Sequence, residues 1–569
     1  MNFCSSSTLV FLPLCGTFIV VLPDNILSLE EEHMQYLSGR SYFVIYLCFF
    51  LLGAAVPTLA PAKTTNILFL ALPAILKKSH ADVPLPPPSG EGVHGTILQW
   101  KGTETCLACH IEEARQVFSS SHYQWLGETP YMTNGPDLQG KLDLGVNSYC
   151  INITGNWNGC GACHIGLGLR PETTQTASQL ANIDCLVCHQ QEYRRKKVDG
   201  IFVPDTANMS ISMLQAARTV HLPTRATCLP CHAKGGGGDN FKRGDMALAH
   251  ANTQDKNFDV HMAKNGGDLS CQSCHTTEKH RMAGRGSDLR PTDLDVAMEC
   301  SSCHEEGQGS GNHDNKTINR HLARVACQTC HIPTYAKNAA DTVADEKTEV
   351  HRDWLKPHLT ASGAIHPTPT MAGNLTPRYG WWNGFSSSYL LFDQAEVDAQ
   401  TGRIPTSRPQ GGVNDQNAKL YPFKYKTALQ PLATTANQLI ALDTSVYFSG
   451  GDPVAAVRSG LKNMGYPEGD LYKWVETDTM QLITHEVPPA SQALSCNACH
   501  DNTARMDLNS LGYGLKNSRQ VVCTQCHGQE DNKGGAEYLW IHDKHVNDKR
   551  YDCSWCHGFS RPERGLRMP

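Results

Sequence analysis

The chain is 569 residues long, with 40% hydrophobic and 18% charged residues and a formal net charge of −6. That length implies several domains' worth of structure, and the balance excludes wholesale disorder, a polytopic membrane protein and an electrostatic case for nucleic acid. Cysteine is the outlier, with 24 residues alongside 26 histidines.

Three apolar stretches open the chain, at residues 7–22, 42–60 and 67–76. The second follows Arg40 and ends in the small-residue run GAAVPTLAPA, so it reads as a secretory leader cut near Ala60 or Ala62. The third follows Lys63 and offers an alternative exit near Ala81. Met34 reads as the true start of such a leader, and an uncleaved anchor is the other reading. With the Pro-rich linker DVPLPPPS, the leader region spans residues 1–95.

Residues 96–340 carry seven C-x-x-C-H motifs: Cys106/Cys109/His110, Cys160/Cys163/His164, Cys185/Cys188/His189, Cys228/Cys231/His232, Cys271/Cys274/His275, Cys300/Cys303/His304 and Cys327/Cys330/His331. Short helices are expected around them, such as one over residues 111–120. Residues 341–486 contain no motif, yet they hold aromatic and turn signals (PRYGWWNGFSSSYLLFD, then 421–425) and are too long for a structureless loop. This span should fold on its own or brace its neighbours. Residues 487–515 carry Cys496/Cys499/His500, and residues 516–569 carry Cys523/Cys526/His527 and Cys553/Cys556/His557. The spacing is uneven, which argues against a solenoid.

A lone C-x-x-C suits zinc, a redox dithiol or a disulfide. Ten copies all followed by histidine do not, because chance would place histidine there with a probability on the order of 10⁻¹³ and none of those chemistries needs it. Haem c does need it. Two thiols spaced by two residues add to the vinyl groups on one porphyrin edge, and the next side chain then reaches the iron from below. The ten motifs therefore predict ten covalent haems c, each with a cysteine pair as anchor and a proximal histidine. The fold class expected from this is mainly α with extensive irregular structure, built around a packed haem chain.

Fourteen further histidines follow residue 81. Eight are favoured as distal iron ligands because each lies within a few to about twenty residues of a motif: His122, His221, His261, His280, His321, His485, His542 and His545. His94, His250, His313, His351, His358 and His366 are not favoured. Iron with two histidines has no open position and only transfers electrons. About twenty haem propionates would make the loaded protein more acidic than its residues suggest. Export to a periplasmic or extracytoplasmic compartment is expected, since haem attachment of this kind belongs there.

The runs SYCINITGNWNGCGACHIGLG, DCLVCH, PTRATCLPCHAKGGGGDNFKRGD, CQSCHTTEKH, ACQTCHIP, YGWWNG and THEVPPASQALSCNACHDNTARMDLNSLGYG go beyond the motif itself. In this order, from Trp100 to about Gly514, the chain resembles the octahaem tetrathionate reductase family of multihaem cytochromes. Residues from Cys523 onward look like an added two-haem segment, a departure that could serve as an electron inlet, with His542 and His545 as its distal candidates.

The resemblance implies a catalytic haem at the second motif, Cys160/Cys163, where Lys242 rather than His164 holds the iron and the opposite face takes substrate. A lysine amine binds metal only when deprotonated, so such a site must depress its pKa from about 10.4. Glycines 235–238 would let the backbone approach a flat ring. Arg243 stands where the family usually has histidine. The resemblance also puts Cys150 beside this haem, either for thiol and sulfur-oxyanion exchange or as packing. In a chain cut after its leader, Cys150 is the only cysteine outside the motifs and has no intramolecular disulfide partner.

Two functions follow. One is a reductase of tetrathionate, nitrite or hydroxylamine, fed by a redox partner protein or a quinol-linked donor. The other is a non-catalytic electron conduit. A homo-oligomer stays open, and no nucleic-acid partner is expected.

Overall fold

The computed structural model describes residues 92–146, 152–155, 157, 164–199, 201–233, 243–288, 291–304, 313–343, 345–527 and 538–569. These all belong to the second of two compact units, Pro87–Pro569. The leader, the linker, Cys150, Cys160, Cys163, Lys242 and glycines 235–238 lie outside the described residues. Among the described residues no helix is long and apolar enough to cross a membrane.

Helices are short. The ones that matter for the site and the core are α1 (Ile111–Phe118), α2 (Arg225–His232), α3 (Lys316–His321), α4 (Cys327–His331), α5 (Thr444–Gly450), α6 (Pro453–Asn463), α7 (Cys496–His500) and α8 (Tyr538–His542). Several of them contain an attachment motif or end on a ligand candidate, because C-x-x-C-H needs only one helical turn to present its side chains.

The expectation of a mainly α fold is wrong. Residues 348–482 build an eight-stranded mixed sheet from β1 (Thr348–Leu359), β2 (Ile365–Ala372), β3 (Arg378–Trp382), β4 (Ser386–Ser388), β5 (Ile404–Pro409), β6 (Lys419–Ala433), β7 (Gln438–Leu439) and β8 (Tyr472–Leu482). The order is β4–β5–β8–β6–β1–β2, with β3 and β7 also pairing on β6. β5 runs parallel to β8 and β6 parallel to β1, while the other pairs are antiparallel. The spine is the antiparallel β6–β8 ladder, in register from Phe423↔Leu482 to Ala433↔Tyr472. Its cause is legible in KLYPFKYKTALQPLA, where aromatic and aliphatic residues alternate with polar ones over much of the length, the period of a strand. Motif density dominated the fold-class expectation, whereas the motif-free span carries the longest regular elements.

One cluster of the sheet packs against α5 and α6, burying Trp354, Leu432, Tyr447, Val457 and Leu461. Both helices begin on an aspartate cap. Asp443 accepts from the Ser445 and Val446 amides at 2.9 and 3.2 Å, and Asp452, followed by Pro453, accepts from Val454 and Ala455 at 2.9 and 3.0 Å. Other clusters join sheet residues to motif segments. Tyr379, Trp381 and Leu420 pack with Met506 and Cys499, and Ile483 packs with Ile332, Tyr335 and Ala336. Thr329, inside the seventh motif, donates to the Leu420 carbonyl at 2.7 Å, and Ser287 donates to that of Met480 at 3.1 Å.

Candidate haem sites

Each described motif closes a single helical turn. The histidine amide donates to the carbonyl of the first cysteine in the motifs of His110, His189, His275, His304, His527 and His557, at 2.8–3.1 Å. Residues i, i+3 and i+4 of such a turn share a face. Both thiols and the imidazole are thereby presented to one side, as covalent attachment plus iron ligation requires.

Nine of these histidines face a second histidine. The ring centroids are 6.0 Å apart for His110 and His94, 6.2 Å for His232 and His122, 6.3 Å for His189 and His280, 6.2 Å for His275 and His485, and 6.2 Å for His304 and His261. They are 6.1 Å apart for His331 and His313, 6.2 Å for His500 and His321, 5.8 Å for His527 and His545, and 6.1 Å for His557 and His542. A metal–imidazole bond of about 2.0 Å plus about 1.1 Å from nitrogen to ring centre, taken on both sides of one ion, gives a separation of about 6.2 Å. These pairs therefore have the spacing of two axial ligands.

The other ring nitrogens support this. Nδ1 donates to the carbonyls of His221 from His189 (2.9 Å), Ala283 from His275 (2.9 Å), Thr317 from His321 (2.8 Å), Gly244 from His485 (2.6 Å), Ile541 from His545 (2.9 Å) and Gly514 from His557 (3.2 Å). That of His280 donates to Gln116 Oε1 at 2.9 Å. Such bonds fix the tautomer, orient the ring and leave Nε2 as the lone-pair donor toward metal. Burial also pulls the pKa of His122, His189, His280, His331 and His500 down and that of His485 down to about 4, favouring the neutral form that binds iron.

Of the eight favoured distal histidines, the structure brings seven onto motif histidines: His122, His261, His280, His321, His485, His542 and His545. It does not do so for His221. The His221 Nδ1 donates to the Leu222 carbonyl at 2.7 Å, and its Nε2 accepts from the Gln191 amide at 3.0 Å. Its role at the third motif is played by its backbone carbonyl, which orients His189. Sequence reasoning passed over His94 and His313. Nearness in sequence to the first, sixth and seventh motifs was a signal that includes both.

His164 is different. Its ring is buried, its Nε2 donates to the Tyr123 carbonyl at 2.6 Å and its Nδ1 accepts from the Gly166 amide at 3.0 Å. Around it stand Tyr123, Trp125 and Trp157 at centroid distances of 5.1, 5.3 and 5.3 Å. Burial takes its pKa down to about 4. Both nitrogens are thus occupied by backbone, and among the described residues no second histidine faces it. Three residues past Lys242, Asp245 is fully buried, with φ of 61°. It pairs with buried Lys424 on β6 at 2.8 Å and accepts from the Ala336 amide at 2.9 Å.

Successive motifs lie side by side. Hydrogen bonding to Cys228 holds the Cys271 thiol down to about 7, that between Cys106 and Cys185 lowers the former, and that from Cys327 pushes Cys300 up. Cys303 is within electrostatic reach of Cys274, as Cys499 and Cys496 are of Cys330, and Cys188 of Cys228. In a haem-bearing chain these sulfurs are thioethers, so the contacts report proximity. They place motifs one, three, four, five, six, seven and eight as neighbours in turn.

Contacts between motifs run through either cysteine, since Cys188, Cys274, Cys303, Cys330 and Cys499 are all second cysteines of their motifs. In the first and fourth motifs the first cysteine, Cys106 or Cys228, makes such a contact. Cys109 is exposed, at the end of the turn in which its amide donates to the Cys106 carbonyl at 3.1 Å. Cys231 is half-buried near the end of α2, directly before His232. Sequence spacing puts both one turn from their partner thiols but carries no information on burial, which depends on how neighbouring segments pack.

A family described as "Cytochrome c bacterial" matches residues 360–503, and one described as "Cytochrome c554 and c-prime" matches residues 277–332. An uncharacterized protein of Archaeoglobus fulgidus is 27% identical over 34% of this chain and 78% of its own length. The crystal structure of an octahaem cytochrome c from Shewanella oneidensis is 30% identical, with a TM-score of 0.62, over 74% of this chain and 96% of that one.

Proposed function

This chain belongs to the octahaem multihaem c-type cytochromes, carries haem c and transfers electrons. On that premise we propose that it is an exported, periplasmic decahaem cytochrome that reduces small inorganic sulfur or nitrogen compounds (tetrathionate, nitrite or hydroxylamine) at its second motif. The observation that carries the reading is the contrast between His164 and the nine paired histidines. Nine pairs at 5.8–6.3 Å suit saturated iron, which relays electrons and cannot bind substrate. His164, whose Nε2 donates to the Tyr123 carbonyl, stands apart from them, which supports the reading that Lys242 holds the iron here.

Haem iron supplies one-electron chemistry when bound; two electrons delivered in sequence split the central S–S bond of tetrathionate into two thiosulfates. The chain's own contribution is positional. The Tyr123, Trp125 and Trp157 rings exclude water around His164. Arg195 donates to the His164 carbonyl at 2.8 Å and to that of Gly166 at 3.1 Å, holding the turn that follows the motif. For Lys242 to ligate, its Nζ must shed its proton, which burial near a cation favours. Cys150 would stand at this centre as a thiol able to exchange with sulfur oxyanions. Electrons would enter from a redox protein or a quinol-linked donor.

The test is turnover of the loaded protein with tetrathionate, nitrite and hydroxylamine, together with the oxidised spectrum. A minor high-spin or weak-field component that responds to one of them is expected, and Lys242→Ala should alter that component and abolish turnover. A spectrum of low-spin centres alone, unchanged by Lys242→Ala, would make the protein a conduit.

A further inference from the structure

The last two motifs fall outside the length that resembles the octahaem proteins, and their attachment to the rest is built from specific contacts. Tyr513 lies at the hinge. Its ring is 5.8 Å from that of Trp381, and both belong to the cluster that includes Cys499 of the eighth motif. On its other side Tyr513 meets Phe559 edge-on at 5.1 Å, and Phe559 in turn lies 5.2 Å from His557. The backbone repeats this path. Leu515 bridges to His557, the Lys516 amide donates to the Cys556 carbonyl at 3.0 Å, and His557 Nδ1 donates to the Gly514 carbonyl at 3.2 Å. Gly512, with φ of 91°, packs so closely on Val413 that a Cβ there would come within 2.8 Å of its Cγ1. Arg561 donates to the Val413 carbonyl, pinning the tenth-motif loop to the same place.

The ninth motif attaches through the tenth. Its partner His545 stands one helical turn beyond His542, the partner of the tenth, so the two histidine pairs are neighbours. The sulfurs of Cys523 and Cys526 also lie within electrostatic reach of Cys556. Against the eighth-motif region, the described ninth-motif segment makes a polar contact near its distal ligand, Arg320 to Asn547 Oδ1 at 3.0 Å.

We infer that the tenth motif, last in sequence, stands between the eighth and the ninth in space. The C-terminal pair then extends the electron path end-on from the eighth centre through Tyr513 and Phe559, and the ninth centre is its terminus. This rests on the ten-haem reading of the chain, which intact mass of each preparation checks separately.

The experiment uses the full-length, haem-loaded protein with His542→Met in one preparation and His545→Met in another. A methionine ligand raises the potential of its own centre, so a mild poise reduces that centre alone and removes its magnetic coupling to ferric neighbours. With His542→Met, reduction of the tenth centre is expected to change the electron paramagnetic resonance signals of two other haems. With His545→Met, reduction of the ninth should change only one. Two altered neighbours for the ninth centre, or only one for the tenth, would overturn the order. Either variant decides it alone, so failure of one to mature does not remove the test.

Discussion

A histidine becomes an axial ligand through what its second nitrogen does. Where Nδ1 donates to a carbonyl, Nε2 is left with a lone pair aimed at the opposite imidazole, as in His275 and His485. His221 shows the converse, with both nitrogens spent on backbone. His94→Ala and His313→Ala should therefore each convert one low-spin centre to a high-spin or weak-field one, read by paramagnetic resonance. His221→Ala should leave the number of low-spin centres unchanged; a lost centre there, or none lost at His94 or His313, would refute the pairing.

At the scale of elements, the sheet sets the positions of segments distant in sequence. β6 carries the buried Lys424 that pairs with Asp245, and this ties the loop after residue 242 to the sheet and to the turn at Ala336. Removing one partner of a buried ion pair strands the other charge, so Lys424→Met should cost about 3–5 kcal/mol in denaturant unfolding. A loss below about 1 kcal/mol would show that the aspartate finds other compensation. On the opposite cluster, Trp354 is buried against Tyr447 at 5.2 Å, and Trp354→Ala should cost about 3–5 kcal/mol through the cavity it leaves. The helix caps are weaker links, and Asp452→Ala should cost about 1 kcal/mol.

For the whole molecule, the motif segments have helices only a turn or two long, so attached porphyrins would have to supply much of the material between them. Mass analysis of protein made in a maturation-competent host should show an excess of roughly 6 kDa for ten attached haems. Blocking attachment should leave a chain that loses its motif segments' packing before that of the sheet, because Trp354, Tyr447 and Leu461 make their cluster from protein alone. Residual strand signal in the far-ultraviolet circular dichroism of haem-free chain would support this, and its complete loss would not.

The attachment sites were readable from sequence because C-x-x-C-H is a local device: one helical turn orients all three side chains, and spacing alone reports it. The short helix after the first motif was legible for the same reason, its apolar positions Ala114 and Phe118 recurring at helical spacing. The eight-stranded sheet was not, although β6 announces its alternation, because pairing of β1 with β6 or β5 with β8 joins residues far apart in the chain. Axial pairing escaped for the same cause. His122 meets His232 and His485 meets His275 only after the chain has folded back on itself, so the supply of histidines was fixed by composition and their assignment by tertiary structure.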